Sequence, residues 1–205
     1  MTTQSIRYPT LGSLLWTDSA WVRHVVLIAV GVALLTLSAK IKIPFYPVPV
    51  TMQTFVVLAF AMACGWRLGS MTLLSYLACG ATGLPVFAGT PEKGIGIAYM
   101  LGPTGGYLLG FVLAAAVVGC LAERGWDRKP GTTFLAMLAG NVVIYVPGLI
   151  WLGSVVGWDK PVLAWGLTPF VLGDLAKIVL AMIVLPAAWK LVGRRDRGSG
   201  RLPEN

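Results

Sequence analysis

Residues 166–186, GLTPFVLGDLAKIVLAMIVLP, form an apolar run long enough to cross a bilayer, yet they contain an acid and a base, Asp174 and Lys177. Positions three apart share a helix face, so the two side chains can pair. Without a partner at the centre of a spanning helix, either one would cost roughly 2.5–3.5 kcal/mol on insertion scales. The chain must therefore surround this run with other helices and turn both groups inward. An ionisable pair at membrane depth is by default a functional-site hypothesis. The plainer reading is a salt bridge that only locks helices. That is a costly lock, because a buried pair is often no more stabilising than apolar packing.

The remaining chain supplies the helices this run requires. Only 12% of the 205 residues are charged, against about 25% in a soluble domain. The apolar runs are continuous and not alternating, which favours helices over a membrane barrel. Spans are expected at about 25–39, 50–66, 68–84, 106–121, 132–151 and 166–186. The predicted fold is an all-α integral membrane protein with six transmembrane helices. Residues 1–24 form an N-terminal cytoplasmic or interfacial segment, 25–192 the transmembrane domain and 193–205 a basic, disordered cytoplasmic tail. Trp16 and Trp21 read as interfacial anchors, and Arg23 and His24 as the entry to the bilayer. The N-terminus lacks the pattern of a cleaved signal peptide.

A net charge of +8 could serve nucleic acid, but the basic residues cluster at the ends of apolar segments, where membrane orientation explains them. Eleven of the 16 fall on the side of the termini, four (Lys40, Lys42, Lys93 and Lys160) fall opposite, and Lys177 is intramembrane. The positive-inside rule then puts both termini in the cytoplasm. Cys64, Cys79 and Cys120 lie in apolar runs without CxxC spacing and read as small buried hydrophobes, neither metal ligands nor disulfides.

Two connections stand out. IPFYPVPVT, with prolines at 44, 47 and 49, cannot be regular helix and reads as an extended connection or re-entrant elbow. After Pro85, VFAGTPEKGIGIAYMLGPTGGY is a Gly-rich extracellular loop between helices 3 and 4, long enough for a lid or binding loop. Its glycines fit neither GxxxxGK[ST] nor a strand-to-helix GxGxxG, which argues against a nucleotide site. In the fifth span Asn141 and Tyr145 share a face, and the amide either bonds a neighbouring helix or meets a ligand. Ala29 and Ala33, with Gly31 between them, would let another helix approach closely.

A carboxylate accepts two parallel N–H donors, and an ammonium meets a carbonyl or carboxylate oxygen, so a cyclic urea or amide with an acid tail suits Asp174 and Lys177. No nucleophile–base arrangement lies within the spans, so no catalytic residues, metal or cofactor are expected and the chain does not read as an enzyme. The alternative function is a self-sufficient facilitator or ion-coupled carrier of a small acid, with Asp174 as its proton site.

Four elements, IKIPFYPVPVTMQTF, GLPVFAG, LGPTGGYLLGF and GLTPFVLGDLAK, follow one another in a chain that from about residue 25 to 191 resembles the biotin-specific S component of energy-coupling factor transporters, the BioY family. The resemblance implies a high-affinity biotin-binding protein of a prokaryotic cell membrane that captures its ligand from outside. A transmembrane coupling subunit and ABC-type ATPase subunits would supply the energy. The absence of a P-loop suits that division of labour, and a homo-oligomer stays open. Through the GDLAK motif the resemblance makes Asp174 the acceptor for the ureido N–H groups and Lys177 its polar companion. The loop from Gly89 to Tyr99 and the turn from Gly102 to Tyr107 would close over the ligand and help hold its acid tail. In some members an Asn and an Arg near this loop face the carboxylate. Here the segment reads GTPEKGIGIAYM, so Lys177, Lys93, Tyr99 and backbone N–H groups are the candidates. Ala29 and Ala33 match the small-residue motif by which S components dock with the coupling subunit.

Overall fold

Apolar runs in hydrocarbon must satisfy their backbone groups internally, and here they do so as helices. The computed structural model describes residues 8–14, 19–43 and 46–198. In chain order these form α1 (Leu11–Leu14), α2 (Ala20–Lys40), β1 (Lys42–Ile43), β2 (Val50–Thr51), α3 (Gln53–Cys64), α4 (Trp66–Ala81), α5 (Gly96–Met100), α6 (Gly105–Ala122), α7 (Pro130–Val156), α8 (Val162–Gly166) and α9 (Thr168–Gly198). The readings placed on Trp16, on Pro44 and on the chain after Gly198 lie outside the described residues.

Among the described residues four stretches are long and apolar enough to cross a membrane: Trp21–Lys40, Gly105–Ala122, Pro130–Val156 and Val162–Leu191. The expected second and third spans are shorter helices of 12 and 16 residues, about 18 and 24 Å of rise. The turn between them falls at Gly65, two residues before the break expected between 66 and 68, because Gly65 takes a φ of +84° that side chains rarely adopt. Of the Pro-rich connection the structure describes residues 46–49, which bend at 46–48 and form no helix. Its flanks pair as an antiparallel hairpin, with Lys42 opposite Thr51 and Ile43 opposite Val50, so the fold is helical with one short β-ribbon. The sixth run is interrupted: α8 stops at Leu167, and α9 then continues through Gly198, past the expected start of the tail at 193.

Helix α6 is the centre, packed against α3, α4 and α7. Its contact with α7 depends on absent side chains: a Cβ on Gly106 would stand 2.4 Å from the Pro147 carbonyl oxygen, and one on Gly110 2.7 Å from that of Ile144. This four-residue spacing of glycines brings two backbones together, the usual device where hydrocarbon gives helices no hydrophobic reason to associate. Helix α2 is peripheral, with 22% of its spanning window buried against 56% for α6. Its Gly31 faces Thr72 and Phe60, while Ala29 and Ala33 lie on the opposite, exposed face. Cys64, Cys79 and Cys120 are free thiols, and each is only partly buried.

Side-chain ties sort the connections into two ends. At one end Lys40 reaches Phe87 and Thr90, and Trp151 donates to the Gly102 carbonyl. At the other, Trp66 N–H donates to Glu123, Arg128 to the Pro9 carbonyl and Trp189 to Asp127.

Candidate functional site

Asp174 and Lys177 sit one turn apart on α9 and are 4% and 7% exposed. Lys177 Nζ donates to Asp174 Oδ1 at 2.8 Å and to Thr54 Oγ1 at 2.8 Å. The Thr54 hydroxyl, which can accept and donate at once, donates to Asp174 Oδ1 at 3.0 Å. The Tyr145 hydroxyl donates to Asp174 Oδ2. Both carboxylate oxygens are therefore engaged, and the pair is embedded in a four-membered network from α3, α7 and α9. A buried charge needs such a set, because a pair bonded only to itself rarely recovers its desolvation cost.

A cavity adjoins this network. Thr51 of the hairpin, Gln53 and Thr54 of α3, Tyr107, Leu108 and Phe111 of α6, Ile144 and Tyr145 of α7, and Phe170 and Lys177 of α9 line it. Val48 and Pro49 of the Pro-rich connection and Ala88, Tyr99 and Thr104 of the Gly-rich loop complete its wall. Three rings form one side, with Tyr107 and Tyr145 centroids 6.2 Å apart and Phe170 6.3 to 6.5 Å from each. Tyr107 is fixed by donating to the Gly166 carbonyl at 2.8 Å, at the break between α8 and α9. The volume is about 50 Å³, room for roughly four waters at about 10–15 Å³ each. A bicyclic solute requires the walls to part.

The Gly-rich loop is well tied. Phe87 stacks on Tyr99 with centroids 5.1 Å apart, and the Tyr99 hydroxyl donates to the Ala88 carbonyl. Burial pushes the Tyr99 phenol up, with a hydrogen bond to Thr104 opposing, so the group stays a donor. Gln53 donates to Tyr76 at 2.8 Å, and Tyr76 donates to the Val86 carbonyl at 2.9 Å.

Of the residues singled out by sequence, Lys177, Tyr145 and Tyr99 line the cavity, and Asp174 stands one layer behind Tyr145 and Thr54. Gly89 is buried in the roof with φ +78°. Lys93 is exposed on the loop and its stem passes over Gly89. Asn141 is buried but donates to Met137 of its own helix, and it is not on the cavity wall. Sequence reasoning named Tyr107 only as the end of the turn from Gly102, and passed over Thr54 and Phe170 as wall residues. All three lie in elements that carry the resemblance, Thr54 in IKIPFYPVPVTMQTF, Tyr107 in LGPTGGYLLGF and Phe170 in GLTPFVLGDLAK, but nothing local marks Thr54 or Phe170 as facing a cavity.

Comparison with known proteins adds to this geometry. A sequence model described as the BioY family matches residues 7–194. A "Probable biotin transporter BioY" from Pyrococcus horikoshii is 39% identical over 162 residues, covering 79% of this chain and 93% of that protein. A "Biotin transporter BioY" from Thermotoga maritima is 39% identical over 163 residues, with the same coverage. The crystal structure of an S-component for biotin from an ECF-type ABC transporter superposes with a TM-score of 0.68 at 24% identity, over 85% of this chain and 95% of that one. The fold is therefore shared.

Proposed function

The chain belongs to the BioY family, and from that membership we propose that it is the biotin-binding membrane component of a vitamin uptake transporter. It is a transport protein of the cell membrane and not an enzyme. The observation that carries the reading is the buried network of Asp174, Lys177, Thr54 and Tyr145 set against an aromatic-walled cavity beneath the Gly-rich roof. A cyclic urea brings two N–H donors and a carbonyl. When the walls part and the Tyr145 hydroxyl gives up Asp174 Oδ2, that carboxylate can accept from the urea, while Lys177 has an N–H left for the carbonyl or for the acid tail. The rings of Tyr107, Tyr145 and Phe170 offer apolar area to the bicycle.

In this reading the bundle crosses the membrane six times, with α3 and α4 as the short crossings. Both termini are cytoplasmic, and the Gly-rich loop with the hairpin lies outside. Energy comes from a coupling subunit and ABC-type ATPase subunits, for which the outward face of Ala29 and Ala33 offers a docking groove.

The test is retention of labelled biotin by the purified protein, expected in the wild type and lost in Asp174→Asn and Lys177→Met that still elute as folded protein. Equal retention in both variants removes the site. Uptake by cells without coupling and ATPase subunits would instead favour a self-sufficient carrier. Ala33→Trp should spare binding and prevent co-purification with those subunits.

A further inference from the structure

We propose that Lys40 straps the Gly-rich roof over the cavity and thereby sets how long the ligand stays bound. The inference rests on the biotin-binding reading above. Lys40 is the last residue of α2, and its Nζ lies 3.1 Å from each of three acceptors on the roof: the carbonyls of Phe87 and Thr90 and the Thr90 hydroxyl. An ammonium has three N–H donors and no acceptor, so this set is complete. The acceptors are themselves held together, because the Thr90 hydroxyl donates to the Phe87 carbonyl at 2.7 Å.

One cation therefore fixes the turn from Phe87 to Thr90 to the end of α2, about fifty positions earlier in the chain. That turn carries Ala88, a cavity wall residue whose carbonyl holds the Tyr99 hydroxyl, and Phe87, on which the Tyr99 ring stacks. Lys40 is itself away from the cavity, so it acts through Ala88 and Tyr99 as a positioning residue. Because the cavity holds only a few waters, a solute enters and leaves only when a wall moves. Two parts of the wall are built on connections, the hairpin and the roof, and release of the roof breaks the Lys40 bonds. The neighbouring pair of Lys42 and Glu92, 3.9 Å apart and exposed, has the geometry of a contact that contributes little. Arginine is no equivalent, since its planar fork cannot reproduce three bonds from one nitrogen.

Full-length protein in lipid nanodiscs, loaded with radiolabelled biotin and chased with unlabelled biotin, reads the residence time. Lys40→Met should shorten it at least tenfold, Lys40→Arg should recover part of the loss, and Glu92→Gln should stay within twofold of wild type. In ligand-free protein Lys40→Met should speed hydrogen exchange between Ala88 and Lys93 at least tenfold while α6 and α7 stay as they were, a pattern that general loosening would not give. An unchanged residence time overturns the proposal, as does exchange that quickens throughout or not at all. Should the wild type retain no biotin, the transport reading fails by itself and the exchange arm alone decides the role of Lys40.

Discussion

Helix α9 takes part in two buried carboxylate clusters with similar ingredients. Near one end Asp174 meets the phenol of Tyr145, the hydroxyl of Thr54 and the ammonium of Lys177. Near the other, Asp127 of the α6–α7 turn, fully buried, accepts from the indole of Trp189 on α9. There Arg128 lies between the rings of Tyr8 and Trp189, 4.6 and 4.3 Å from their centroids. Each cluster has an acid, an aromatic donor and an adjacent cation. They differ in what surrounds them: the first adjoins the cavity, whereas neither Asp127 nor Trp189 lines it. A buried acid next to room for a solute can exchange its partners for those of a ligand. The same acid in closed packing can only hold elements together.

Breaking that contrast is the strongest test of it. Asp174→Asn should cost about 2–5 kcal/mol of biotin binding, the usual penalty for truncating one member of a buried charged pair, and should leave assembly of the fold intact. Equilibrium binding and size-exclusion chromatography check both halves. Trp189→Phe should show the reverse, a loss of about 1–3 kcal/mol in unfolding free energy from a stranded acceptor with biotin affinity unchanged. A change of affinity there would mean that the two clusters communicate.

The smallest expected effect concerns pH. Burial pushes the Asp127 carboxyl above its ordinary range, with the Trp189 hydrogen bond, its own backbone N–H and Arg128 opposing. An acid whose folded pKa is raised contributes stability below its unfolded pKa and loses that contribution as pH rises through the folded value. Thermal stability should therefore fall slightly as pH rises above the ordinary aspartate range, and Asp127→Asn should flatten that slope. A slope unchanged by the substitution would assign the titration to another group.

The two clusters were not equally legible in sequence. Asp174 and Lys177 stand out because charge inside an apolar run has no other explanation than a built interior. Asp127 sits in ERGWDRKP, which reads as a charged turn, and its partner Trp189 lies 62 positions onward. Thr54 was hidden for the same reason, since its partner lies 120 positions away. The apolar runs gave the helices, but not the hairpin, which depends on pairing across the prolines, nor the break at Leu167, where Tyr107 bonds the Gly166 carbonyl. Small residues in α2 were visible as a pattern. Which of them faced the bundle was not, because Gly31 and the alanines lie on opposite sides of one helix.

Asp174 accepts from an ammonium, an alcohol and a phenol of its own protein, and this has a bearing on selectivity. In the proposed binding reading the site carries its own reference occupant, and a solute gains only by the margin with which its donors outperform the phenol's. A molecule that offers a single N–H would do no better than the tyrosine it displaces, so discrimination is built into the resting arrangement before any stranger arrives.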